Sequence, residues 1–121
     1  MGYGISLDES EFFIDSTNKQ LALQSAKTLN LKSLSTSGGN PRTLEEMFGI
    51  FDYHVEVDDK GNITDIEFWG EKLNDELQLF MKVAKYVKAG SYLQLHGDEG
   101  ETWRWVFDGT TCKEVYPTVS W

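Results

Sequence analysis

The stretch Tyr53–Gly70, YHVEVDDKGNITDIEFWG, alternates apolar and polar residues on either side of a turn-forming segment. Alternation of period two sends successive side chains to opposite faces of a strand. Gly61, within Asp59-Lys60-Gly61-Asn62, can take a positive φ, so the stretch reads as a β-hairpin. A turn centred on Lys60-Gly61 pairs Tyr53 with Phe68, Val55 with Ile66 and Val57 with Thr64 on one face. The other face pairs His54 with Glu67, Glu56 with Asp65 and Asp58 with Ile63, and Trp69 lies beyond. A slip of one residue would turn the apolar set into solvent, so the pattern specifies the register.

Other elements follow from their own periodicities. Tyr3–Leu7 alternates and Phe12–Ile14 is apolar and β-prone, which predicts an opening strand, bulged near Asp8 to Ser10. Ser16 or Thr17 caps a helix running to about Leu29, with Ala22, Ala26 and Leu29 on one stripe and Leu23 beside it. The residues from Lys32 to Arg42, rich in Ser, Gly, Asn and Pro, read as a loop. Thr43-Leu-Glu-Glu46 is a capping box, and Leu44, Met47, Phe48 and Phe51 follow at helical spacing. A third helix is capped by Asn74, carries Leu73, Leu77, Phe80, Ala84 and Val87 on one stripe, and stops at Gly90. Asp75 and Glu76 at its start and Lys82, Lys85 and Lys88 towards its end suit the helix dipole.

The C-terminal part reads as a meander. Tyr92–His96 alternates, residues 97–100 turn, and Trp103, Trp105 and Phe107 share one face of the next strand. Asp108-Gly109 turns again, and Cys112–Tyr116 forms a last strand that Pro117 ends or confines to an edge. The order is β-α-α-β-β-α-β-β-β. Hairpins dominate, which predicts an α+β fold: a mainly antiparallel sheet of five or six strands with two or three helices on one face.

A length of 121 residues suits one domain, residues 1–121, and a content of 40% hydrophobic residues supplies its core. No apolar run reaches membrane-spanning length, and MGYGISLDESEFF has no signal-peptide pattern, so the expectation is a soluble, cytoplasmic protein. Cys112 is the only cysteine, which excludes an internal disulfide and fits a reducing compartment.

Charge changes the picture most. The formal net charge is −9, which disfavours direct contact with phosphate backbones. From Leu44 to Gln78 there are eleven acids and two bases, 11 − 2 = 9, so this window carries the whole net charge. Such a window is either a solubilising face or a surface matched to a basic partner.

Motifs for nucleotide binding, metalloprotease and serine-hydrolase chemistry and paired C-x-x-C are absent. His54 and His96 fall on different predicted strands, and Cys112 reads as a small buried apolar residue. Asp58–Asn62 lacks the alternating ligands of a calcium loop, and Glu56, Asp65 and Glu67 read as an acidic face without metal or other cofactor. The aromatics of ETWRWVFDG are expected in the core, with Arg104 on the opposite face. Trp69 is out of phase with the core and sits among the acids, as a partner-facing anchor would.

The stretches FFIDSTNKQLALQSAK and SYLQLHGDEGETWRWVFDG resemble small uncharacterised proteins encoded by bacteriophages and other mobile elements of bacteria. The resemblance implies a context, in which small acidic proteins disable host defence complexes as anti-CRISPR proteins do, and it brings no functional residue with it. The expectation is a non-enzymatic, phage-type inhibitor that presents an acidic surface to a basic groove of a nuclease or nucleic-acid-guided complex. Glu56, Asp58, Asp65, Glu67 and Trp69 are its expected contacts. Two alternatives stand beside it: a toxin-neutralising immunity protein, and a small metal-dependent or hydrolytic enzyme using the histidines or the carboxylates. The sequence leaves the oligomeric state open, because Cys112–Tyr116 is a candidate exposed edge.

Overall fold

The computed structural model describes residues 4–29, 41–70 and 76–117. The fold is α+β, with six strands in two antiparallel sheets and three helices among the described residues. Strand β1 (Ile5–Glu11) precedes helix α1 (Lys19–Ala26), α2 (Leu44–Ile50), β2 (Tyr53–Val57), β3 (Ile63–Phe68), α3 (Glu76–Val83), β4 (Tyr92–Gly97), β5 (Thr102–Phe107) and β6 (Cys112–Val115). The larger sheet has the order β1-β4-β5-β6, and β2-β3 forms the smaller one. Most of the expected loop, and the expected cap Asn74, lie outside the described residues.

Ile14 explains why the strands divide four and two. It leaves β1 in extended form and bridges both Ile63 of the hairpin and Val87 beyond α3. Its N–H donates to Ile63 O at 3.0 Å, and Ile63 N–H returns a bond to Ile14 O at 2.9 Å. Its side chain is 0% exposed. Ile14 thus helps to tie the hairpin beside the larger sheet without merging the two. The bulge expected near Asp8 is present between Leu7 and Glu9.

The inner faces bury the expected residues. Trp103, Trp105 and Phe107 alternate inward, and the helices cover them with Leu23, Met47, Phe48 and Phe80. Phe80 is the hub, with ring centroids 5.3–6.1 Å from those of Phe12, Phe48, Tyr53, Trp105 and Phe107. Trp105 satisfies its indole N–H by donating to Glu114 across the β5–β6 pair at 2.8 Å. Arg104 emerges on the opposite face, stacked over Tyr92 and bonded to Gln94.

Three local expectations are revised. The first helix begins as a 3₁₀ turn, Ser16–Asn18, and its cap is Asp15, whose carboxylate accepts Thr17 N–H. That bond and the Thr17 hydroxyl hold the Asp15 carboxyl below its ordinary pKa. The third helix ends at Val83 and passes into a 3₁₀ turn, Ala84–Tyr86, well before Gly90. Its buried stripe is Glu76, Leu79, Phe80, Val83 and Ala84, so Glu76 points inward while Leu77 is only partly covered. Finally, the hairpin register shifts between Glu56 and Val57, so that Val57 pairs with Ile63 rather than Thr64. The turn causes this. Asp58 accepts from the N–H groups of Lys60 and Asn62, and Gly61 takes φ 85°, which tightens the loop and frees Ile63 to bond Ile14.

Candidate functional site

Beyond that shift, the hairpin pairs as its pattern requires. His54 opposes Glu67 and Glu56 opposes Asp65 on the face away from the core. Directly opposed like charges cost a few tenths of a kcal/mol, up to about 1 kcal/mol. Asp65 relieves part of this by turning to β1, where Ser10 Oγ donates to its Oδ1 at 2.6 Å. It also accepts its neighbour's N–H, Ile66, at 2.8 Å. Asp58 is engaged by its own turn. Desolvation raises its carboxyl pKa, but bonds from the Asn62 side chain and from the backbone of Asn62 and Lys60, with the Lys60 charge, outweigh this and hold it below the ordinary value.

The five expected contact residues therefore divide. Glu56, Glu67 and Trp69 are exposed, with Glu67 bonded, among the described residues, only to Trp69 within that face; Asp58 is exposed but tied into its own turn, and Asp65 is half-buried and bonded to Ser10. Glu76, inside the acidic window, is 1% exposed and accepts the Tyr53 hydroxyl at 2.9 Å, so it adds nothing to the surface.

Trp69 is 67% exposed, the most exposed large hydrophobic side chain among the described residues. It is nonetheless fixed in place. Its ring lies parallel to His54, with centroids 4.4 Å apart and planes 7° apart. Its indole N–H donates to Glu67 Oε2 at 3.0 Å, and its backbone N–H donates to Asp52 O at 2.8 Å. Asp52 adopts φ 67°, the left-handed region that an Asp tolerates better than most residues, and so turns the chain sharply from α2 into β2. Gly70 allows the close approach: a Cβ there would lie 2.8 Å from the Phe68 ring and 3.0 Å from Asp52 Cβ.

Two depressions flank the indole. One, of about 360 Å³, is lined by Glu45, Gly49, Asp52, His54 and Trp69 among others. The second, of about 260 Å³, is bounded by Leu7, Glu67, Phe68 and Trp69 and does not include His54. A larger hollow of about 480 Å³ lies between β1 and β3, where Asp65 is already bonded to Ser10. The sequence exposed Trp69 and its acids but not the His54 stack. The available signal was the diagonal spacing across the hairpin, which brings a residue two beyond the direct partner within reach of an aromatic.

Among the described residues, Cys112 and His96 do not come together. Cys112 opposes Phe107 at one end of β5, and His96 opposes Thr102 at the other, on the order of 16 Å away at about 3.3 Å per residue. His96 pairs instead with Asp8 at the β1 bulge. Among the described residues no three His, Cys, Asp or Glu side chains converge as metal ligands. Burial, reinforced by the Glu114 and Asp108 charges, pushes the Cys112 thiol up to about 12. Alkylation by iodoacetamide at pH 8 should therefore be slow in the folded protein and become fast on denaturation; fast labelling of the native state would contradict this placement.

No protein-family model, curated protein or solved structure matches the chain. Among the described residues no helix is long and apolar enough to cross a membrane. The fold and site define an α+β domain with an acidic hairpin face built around a fixed, exposed indole.

Proposed function

We propose that the protein is a non-enzymatic binding protein that docks its acidic hairpin face on a basic groove of a protein partner, of the kind that ordinarily holds nucleic acid. The observation that carries this reading is the exposed acids of the hairpin, in a sequence window (residues 44–78) that holds the whole net charge, beside an indole held outward by two partners. Carboxylates of one sign accelerate encounter with a basic surface, and a rigid aromatic supplies an anchor that binding desolvates. Glu56, Glu67 and Trp69 are the contacts, and Asp58 and Asp65 shape the face and add to its field. With the resemblance to small proteins of mobile elements, the reading extends to a phage-type inhibitor acting on a bacterial defence complex in the host cytoplasm.

The test is capture from bacterial lysate with the wild-type protein and with a Glu56→Lys, Glu67→Lys double variant. Asp65 is left intact, because reversing it would break the Ser10 contact. The wild type should retain a nucleic-acid-binding protein or complex at low salt and release it at moderate salt. The double variant, with an unchanged circular dichroism spectrum and melting temperature, should not retain it. Equal retention by both proteins would overturn the reading.

A further inference from the structure

Resting on that binding-face reading, we propose that Trp69 and Glu67 form a receptor for one arginine side chain of the partner, with the guanidinium stacked on the indole and bonded to the carboxylate. The geometry supplies each part of such a site. His54 stacks on one face of the ring, with centroids 4.4 Å apart, and fixes its orientation. A depression bounded by Leu7, Glu67, Phe68 and Trp69 lies on a side that does not involve His54, and Trp69 is 67% exposed, so ring surface is open to a partner. Glu67 uses Oε2 to hold the indole N–H, and its Oε1 has no partner among the described residues. The carboxylate is therefore fixed beside the ring, and the bond that fixes it leaves an acceptor unspent.

Complementarity selects the occupant. The face is anionic, so a cation is favoured over a neutral or acidic side chain. A guanidinium is planar and weakly hydrated, and it stacks on aromatic faces while donating in its own plane; an ammonium is a strongly hydrated point charge. Leu7 and Phe68 add apolar walls for the methylene stem, which an arginine buries while its head reaches the carboxylate. The His54–Trp69 stack also spares the partner the cost of ordering the ring, which favours a preformed site.

The experiment is a titration of the full chain with tetra-arginine, tetralysine and tetracitrulline peptides, followed by the indole N–H resonances in a two-dimensional ¹⁵N spectrum. Trp69→Phe identifies the resonance of Trp69. The arginine peptide should shift that signal, the lysine peptide should do so several-fold more weakly, and the citrulline peptide should leave it unmoved. Glu67→Gln and His54→Ala should each weaken the arginine response by about two- to fivefold, the size of an exposed cation–π or charge-assisted contact. An unmoved Trp69 signal with arginine, or equal shifts with arginine and lysine, would overturn the arginine site. Neither result would touch the wider reading, which stands or falls on capture by the charge-reversed variant.

Discussion

Phe80→Ala is expected to cost about 3–5 kcal/mol of stability, the range for truncating a buried aromatic. The residue is wholly buried on α3 and meets the rings of Phe12 just past β1, Phe48 of α2, Tyr53 of β2, and Trp105 and Phe107 of β5. No other ring joins the hairpin, the helices and the larger sheet through so many centroid contacts among the described residues. Alanine would remove all five contacts at once and leave a cavity whose walls belong to different elements, so local collapse cannot fill it. Small domains hold about 5–15 kcal/mol in total, so the variant should sit close to unfolding. Urea denaturation followed by circular dichroism measures this. A loss below about 1 kcal/mol would show that the core is not organised around this side chain.

Tyr53→Phe is expected to cost about 1.5–3 kcal/mol, although it removes a single oxygen. The ring would stay packed against Phe68 and Phe80, with centroids at 4.8 and 5.3 Å. What goes is the hydroxyl that donates to Glu76 Oε2 in the interior, leaving a buried carboxylate short of one donor. Glu76→Gln should be milder, because the amide oxygen still accepts the bond. The pair also sets an alkaline limit. Burial first, and then the Glu76 charge and hydrogen bond, raise the Tyr53 hydroxyl well above its usual 10.0. A pKa raised on folding gives stability that is complete below the unfolded value and is lost as pH rises through the folded one. Wild-type stability should therefore fall above about pH 10, at up to about 1.4 kcal/mol per pH unit from this group. Tyr53→Phe should fall less steeply, and identical alkaline slopes would contradict the buried pair.

Much of the fold was legible because its signals are local. The capping box is one case: Thr43 Oγ1 accepts Glu46 N–H at 3.1 Å, while Glu46 Oε1 accepts the N–H of Arg42 rather than that of Thr43. Hairpin pairs from Tyr53–Phe68 to Glu56–Asp65 followed from alternation alone, as did the inward face of β5. What the pattern missed depends on distant partners. The division into two sheets comes from Ile14, 49 residues before Ile63 in the chain, whereas the shift at Val57 comes from the bonds that Asp58 makes inside the turn. The phase of α3 was misread because Glu76 occupies a buried position, three and four residues before Leu79 and Phe80, and a charged residue there argues for the surface until Tyr53 is seen above it.

The site divides along the same line. Trp69 and the acids were placed on one face by parity of position, which needs no tertiary information. Whether each acid is available was not legible, since that is decided by Ser10 for Asp65 and by the turn geometry for Asp58. The indole's fixation by His54 and Glu67 likewise appears only in three dimensions.

A function for the acidic face is tested by the affinity of the captured partner for the wild type and for Glu56→Lys, Glu67→Lys, each over a range of salt concentrations. Exposed charges act over about 10 Å at 0.1 M salt and less at higher salt. Wild-type binding should weaken steadily with salt, and the double variant should bind far more weakly at low salt and approach the wild type as salt rises. Equal affinity of the two proteins at low salt, with both folded, would contradict a function for the acidic face.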